Sequence, residues 1–128
     1  MQIAQFAALS ACAILAGLAI FQAALVSGAP LGRMAWGGQH DVLPTRLRIG
    51  SAISLALYAL FGLAALARAE MTLPIINDAV TAVFVWVLTA YFALGVVMNG
   101  LSRSKPERVI MTPVALVLTA LYLVVAIS

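Results

Sequence analysis

The residues that could carry chemistry are few and lie mostly in two polar connections. His40 and Asp41 are adjacent in the first of these. Neighbours in a loop need not face each other as a general base and its orienting partner, and no nucleophile stands close in sequence. His40 is therefore expected to be solvated or hydrogen-bonded rather than catalytic. The arginines say more. Arg33, Arg46 and Arg48 lie in or just after the first connection, and Arg103 and Arg108 in the second. Guanidinium groups pair with phosphate in bidentate fashion, so this set suits anionic lipid headgroups or a phosphorylated ligand. Membrane topology alone would also place arginines there. The first connection reads GAPLGRMAWGGQHDVL, from Gly28 to Leu43. That is long for a helical hairpin, and loops of this length tend to be functional or disordered. Trp36 suits the headgroup level, and Gly32, Gly37 and Gly38 permit tight turns and close approach of backbone to a ligand.

Metal and redox chemistry find little support. The single cysteine, Cys12, excludes an internal disulfide and a cysteine-cluster metal site, and the single histidine excludes a bis-His site. No cofactor is expected. No ionisable residue falls near the middle of an apolar run, which argues against a proton-coupled carrier. Gln22 is the most polar residue inside a run, and its expected role is to bond a neighbouring helix.

The elements that must position these groups are membrane helices. Of 128 residues, 65% are hydrophobic and only 9% charged. Mean hydropathy is +1.14. An ordinary cytosolic domain, a disordered tail and a nucleic-acid-binding arm are thereby excluded. Four apolar runs, residues 3–27, 49–67, 79–98 and 109–127, each approach spanning length. The expected fold is all-α, one integral membrane bundle of four transmembrane helices. Turn chemistry marks the gaps. Gly28-Ala29-Pro30 stops the first helix, and Pro44 and Pro106 suit first turns of the second and fourth. Pro74, Asn77 and Asp78 break and cap the chain before the third, which Asn99-Gly100 should end. Pro113 predicts either a kink or a late start of the fourth helix. Leu9-Ser10-Ala11-Cys12 matches a lipobox, but no basic residue precedes it and the apolar run continues past Cys12. The segment is therefore read as a span, not a leader.

Charge then predicts orientation. Arg33, Arg46, Arg48, Arg103, Lys105 and Arg108 fall on one side of such a bundle, and only Arg68 on the other. By the positive-inside rule, residues 28–48 and 99–108 are cytoplasmic and both termini lie outside. In a bacterium this is a multi-pass protein of the inner membrane with periplasmic termini. A faint repeat relates the halves: Pro44-Thr45-Arg46-Leu47 echoes Pro106-Glu107-Arg108-Val109, followed by Tyr58 and Tyr122.

Small and polar residues recur at helical spacing and should line the contacts, because close backbone approach and hydrogen bonding drive association in lipid. The inner stripe is Gln5, Ala8, Cys12, Ala16, Ala19 and Ala23 on the first helix. On the second it is Ser51, Ser54, Tyr58, Gly62 and Ala65. On the fourth it is Thr112, Ala115, Thr119, Tyr122 and Ala126. Thr81, Trp86, Thr89 and Ala93 are the inner set of the third. The bulky stripes, such as Ile14, Leu18, Phe21 and Leu25 or Val114, Leu118, Leu121 and Val125, should face lipid.

The run Gly28-x-Pro30-x-Gly32-Arg33, Trp36-Gly37-Gly38-x-His40 and Leu43-Pro44-x-x-Leu47-Arg48 continues in Ser102-Arg103-Ser104, Glu107-Arg108 and Thr112-Pro113. It resembles a group of small bacterial four-span membrane proteins. The resemblance covers most of the chain. It implies fold and location and brings no activity. The first span lacks the glutamate of small multidrug carriers, and the motifs of fluoride channels are missing. The leading expectation is a non-enzymatic accessory or lipid-interacting protein. Its partners would be membrane lipids, especially anionic ones, and further copies of itself or a larger membrane complex; nucleic acid is not expected. An oligomeric small channel or uncoupled transporter is second, and a lipid-modifying enzyme using His40 third.

Overall fold

A computed structural model describes residues 1–73 and 76–128. Four helices carry the fold: α1 (Ile3–Val26), α2 (Thr45–Arg68), α3 (Asp78–Gly100) and α4 (Lys105–Ile127). At about 1.5 Å per residue each is roughly 35 Å long, enough to cross a hydrocarbon core of about 30 Å. By length and hydropathy all four qualify as membrane spans, which makes the chain a small polytopic membrane protein. Helices adjacent in sequence pack side by side, and α4 closes the ring against α1. Of the neighbouring pairs, α2 and α3 meet least. One end of the bundle carries the 27–44 and 101–104 connections and is called the loop end. The other, the terminal end, carries both chain termini and the α2–α3 connection.

Helix boundaries follow local chemistry. α1 stops at Val26 because Gly28 takes φ 93, while Gly28 N–H bonds the Leu25 carbonyl and Ala29 N–H the Ala24 carbonyl. That is a Schellman cap. Asn77 caps α3, its side chain accepting from Ala79 N–H at 2.7 Å. Pro74, expected to break the chain before α3, lies outside the described residues. As Pro44 and Pro106 suggest, α2 and α4 begin a full turn before their apolar runs, and Thr45–Arg48 and Lys105–Arg108 are helical although polar. One boundary differs from expectation. Asn99 and Gly100 belong to α3 rather than ending it, since Asn99 Nδ2 bonds the Gly95 carbonyl within the helix at 2.7 Å. Pro113 lies inside an uninterrupted α4. It withholds one hydrogen bond from the Val109 carbonyl, a loss that membrane helices tolerate.

The core occupies the terminal half. Ala4, Ala7, Ala8 and Ala11 of α1, and Ala64 and Ala65 of α2, are buried and let these helices approach closely. Val85, Leu88 and Phe92 of α3 meet Leu118, Tyr122 and Val125 of α4. Phe61 is the hub, 5.9 Å from Phe92 at 89° and 5.7 Å from Tyr91, edge to face. Tyr122 is fully buried and donates to the Phe61 carbonyl at 2.7 Å. Large apolar side chains such as Ile20, Leu94 and Val83 stay exposed, the surface a lipid-facing bundle presents.

Small stripes do not mark the inner faces as simply as expected. Leu25, Leu118 and Val125 of the bulky sets are buried, whereas Ala16, Ala23, Trp86 and Ala93 of the small or inner sets are exposed. Small residues give close approach only where two helices touch. Facing the bundle axis, a large side chain is needed to fill the wider gap.

Candidate functional site

The 27–44 connection is a folded cap on the loop end, built from two short 3-10 turns, Gly32–Met34 and Trp36–Gly38. Its ends are tied by Gly32 N–H to the Asp41 carbonyl at 2.8 Å. Trp36 holds φ 54, a left-handed conformation uncommon for a large side chain. Two contacts fix it. Its indole N–H donates to Ser51 Oγ at 3.1 Å, and its ring edge lies over Gly50, where a Cβ would come within 2.8 Å. Ser51 is fully buried, so the tryptophan anchors the loop to the first turns of α2.

The second anchor is the start of α4. Ser104, Lys105, Pro106 and Glu107 have the spacing of a capping box, in which the serine and glutamate bond each other's backbone amides. Here both side chains are turned to the loop instead. Ser104 Oγ donates to the Arg33 carbonyl, and Glu107 Oε2 accepts from Gly37 N–H at 3.0 Å. Gly38, at φ 71, lies so close that a Cβ would collide with the Ser104 side chain and the Arg33 carbonyl. Glu107 is only 7% exposed, and no Lys or Arg among the described residues forms an ion pair with it. The positive end of the α4 dipole and the one amide are its stabilisers.

Beneath this cap lies a cavity of about 450 Å³ at the loop half of the bundle. Glu107, Asn99, Gln22 and Trp36 supply its polar lining, and Tyr58 and Phe92 part of its apolar wall. Gln22 is 9% exposed; its Nε2 donates to Tyr58 Oη at 3.1 Å, and among the described residues its Oε1 has no partner. Tyr91, Leu94 and Met98 also line the cavity, and each is more than half exposed. The cavity therefore opens sideways on the α3 flank, within the apolar part of the helix.

The basic residues sit around the rim. Arg33 pairs with Asp41 at 2.8 Å, both side chains exposed, an interaction worth about 0–1 kcal/mol. Arg48 Nε donates to the Leu43 carbonyl at 2.9 Å, and Arg108 Nη1 to the Ser102 carbonyl at 3.0 Å. Arg46 and Arg103 are exposed, with no side-chain hydrogen bond among the described residues. His40 is half-buried, and among the described residues nothing hydrogen-bonds its ring. No group of three His, Cys, Asp or Glu gathers there to hold a metal ion.

The remaining residues singled out from sequence act between or within helices. Cys12 Sγ approaches the Gly62 carbonyl at 3.7 Å, which with Gln22–Tyr58 joins α1 to α2. Ser54 and Thr119 bond the carbonyls of Gly50 and Ala115 four residues earlier, at 3.0 and 2.7 Å. Their hydroxyls serve their own helices and make no bridge among the described residues. Sequence reasoning passed over Ser104 and Glu107 as site residues, although their capping-box spacing was a usable signal. It also passed over Asn99, Tyr91 and Phe92, whose convergence depends on helix rotation.

Fold and site together define a polytopic α-helical membrane protein with a capped, side-opening cavity. No family model, no curated protein and no solved structure matches the chain.

Proposed function

We propose that this is a non-enzymatic accessory protein of a bacterial inner membrane, oriented with the loop end in the cytoplasm, whose basic rim engages anionic lipid headgroups. One observation carries the reading. Of the six basic residues at the loop end, only Arg33 is paired with a carboxylate among the described residues, while Arg46, Arg103 and Lys105 are exposed. The two carboxylates nearest them are spent, Asp41 on Arg33 and Glu107 beneath the loop. The free guanidinium groups project where headgroup phosphates would lie, and each basic residue near an anionic surface adds roughly 1 kcal/mol. Arg68, the lone basic residue at the other end, has a different task. It donates to the Ser128 carbonyl at 2.8 Å and the Ala126 carbonyl at 3.4 Å, satisfying the end of α4.

Native mass spectrometry of protein extracted with added phosphatidylglycerol or phosphatidylcholine tests this reading. Selective retention of phosphatidylglycerol is expected, weakened roughly thirtyfold in the Arg46→Ala/Arg103→Ala variant. Equal retention of both lipids, or no change in the variant, overturns it. A C-terminal reporter active only in the cytoplasm overturns the orientation.

A further inference from the structure

The capped cavity has a chemistry opposite to that of its rim. Its charged wall group is Glu107, buried, with one oxygen held by Gly37 N–H and no ion pair within the chain among the described residues. A carboxylate removed from water is costly unless it meets a cation or further donors. Deeper in the same cavity, Gln22 leaves its Oε1 unpartnered while its Nε2 is used by Tyr58. Turning the amide over would pair the oxygen and orphan the nitrogen, so one polar end faces the cavity either way. The same wall includes four aromatic rings, Trp36, Tyr58, Tyr91 and Phe92. Aromatic faces attract cations, and most strongly where water is excluded. The volume of about 450 Å³ lies within the range of small-molecule sites. The opening beside Tyr91, Leu94 and Met98 lies along the apolar stretch of α3, a flank open to an apolar molecule dissolved among lipid chains.

We propose that this cavity binds a lipophilic ammonium. The charged nitrogen donates to the free oxygen of Glu107 beside Trp36, and the apolar body lies against Tyr58, Tyr91 and Phe92. A hydrogen-bonding group further along the molecule reaches Gln22. The ammonium has two natural sources, a membrane-soluble amine or the headgroup of an aminophospholipid entering from the side. The site is separate from the anionic-lipid rim and does not depend on it.

The test uses the full chain in nanodiscs of phosphatidylcholine alone, which removes the anionic lipids the rim would engage. Naphthylmethylamine and its neutral isostere naphthylmethanol are titrated by calorimetry. The amine is expected to bind at least about tenfold tighter than the alcohol, the worth of a charge-assisted hydrogen bond. Glu107→Gln should erase that preference, since the amide oxygen can still accept from Gly37 N–H and keep the loop in place. Gly95→Leu is a second variant that leaves the charges intact. A Cβ at Gly95 makes only ordinary contact, 3.8 Å from Ala115, so a longer side chain projects into the cavity and should abolish binding of both probes. Equal binding of amine and alcohol, or a preference that survives Glu107→Gln, overturns the proposal. Repeating the titration with phosphatidylethanolamine in the nanodisc assigns the source. Competition marks the lipid headgroup as occupant, and unchanged affinity marks a free amine.

Discussion

The two ends of the bundle are made from the same four helices yet are built in different ways. At the terminal end, alanines bring α1 against α2, and Phe61, Val85 and Tyr122 fill the axis. At the loop end the axis is empty enough to hold a cavity, and closure is left to a folded loop resting on Ser51, Ser104 and Glu107. Polar side chains that would normally finish a helix end have been given to that loop. The contrast teaches where stability and function are divided: dense packing at one end holds the helices together, so the other can keep a space and an unpaired carboxylate.

The largest expected effect tests the packed end. Phe61→Ala removes the ring at the centre of the aromatic cluster and should lower unfolding stability by about 3 kcal/mol, the usual cost of an unfilled large cavity. Steric-trap unfolding in bicelles measures it. A loss under about 1 kcal/mol would mean the cluster is not what holds the bundle. Gly38→Val comes next and probes the other end. The added side chain collides with Ser104 and the Arg33 carbonyl at φ 71, and the loop must lift. The local cost is about 2 kcal/mol, seen as roughly thirtyfold faster tryptic cleavage at Arg33. Global stability should stay near that of the parent chain. If Gly38→Val destabilises the whole bundle as much as Phe61→Ala, the two ends are not separable and the division fails.

Much of this was readable in the sequence, and what was missed has a common physical origin. Span number, helix type and the basic-loop asymmetry follow from composition and spacing, which need only the chain. The outward assignment of Leu118 and Val125 failed because a stripe of small residues says two helices touch, not which part of the circumference faces the axis. The cavity was illegible for the same reason: Gln22, Asn99 and Glu107 lie on three helices, and no spacing rule relates them. Glu107 was seen only as a connection residue, since its polarity gives no hint that a loop glycine 70 positions away would bury it. The Arg–headgroup reading, by contrast, needs no tertiary knowledge, because exposed guanidinium groups at one end follow directly from where the loops fall.

The smallest effects come from two helix ends that share one motif, one in each region. α1 closes with Gly28 in the left-handed position, and α2 closes the same way, with Glu70 N–H on the Ala67 carbonyl and Met71 N–H on the Leu66 carbonyl. At the loop end the position is a glycine at φ 93; at the terminal end it is Glu70 at φ 61. A φ near 60 is the minimum available to an L-residue on that side of the map, whereas 93 is well beyond it. Gly28→Ala should therefore cost more, about 1–2 kcal/mol, although the Arg48 guanidinium that a Cβ would approach at 2.9 Å is flexible enough to move. Glu70→Gly should gain less, about 0.5–1 kcal/mol, because it relieves a milder strain while freeing the unfolded backbone. Both are measured by the same steric-trap unfolding. Unequal effects of opposite sign are the expected result. Equal magnitudes would show that the φ difference between the two caps has no energetic weight, and a loss in Glu70→Gly would show that its side chain does something at the terminal end beyond closing a helix.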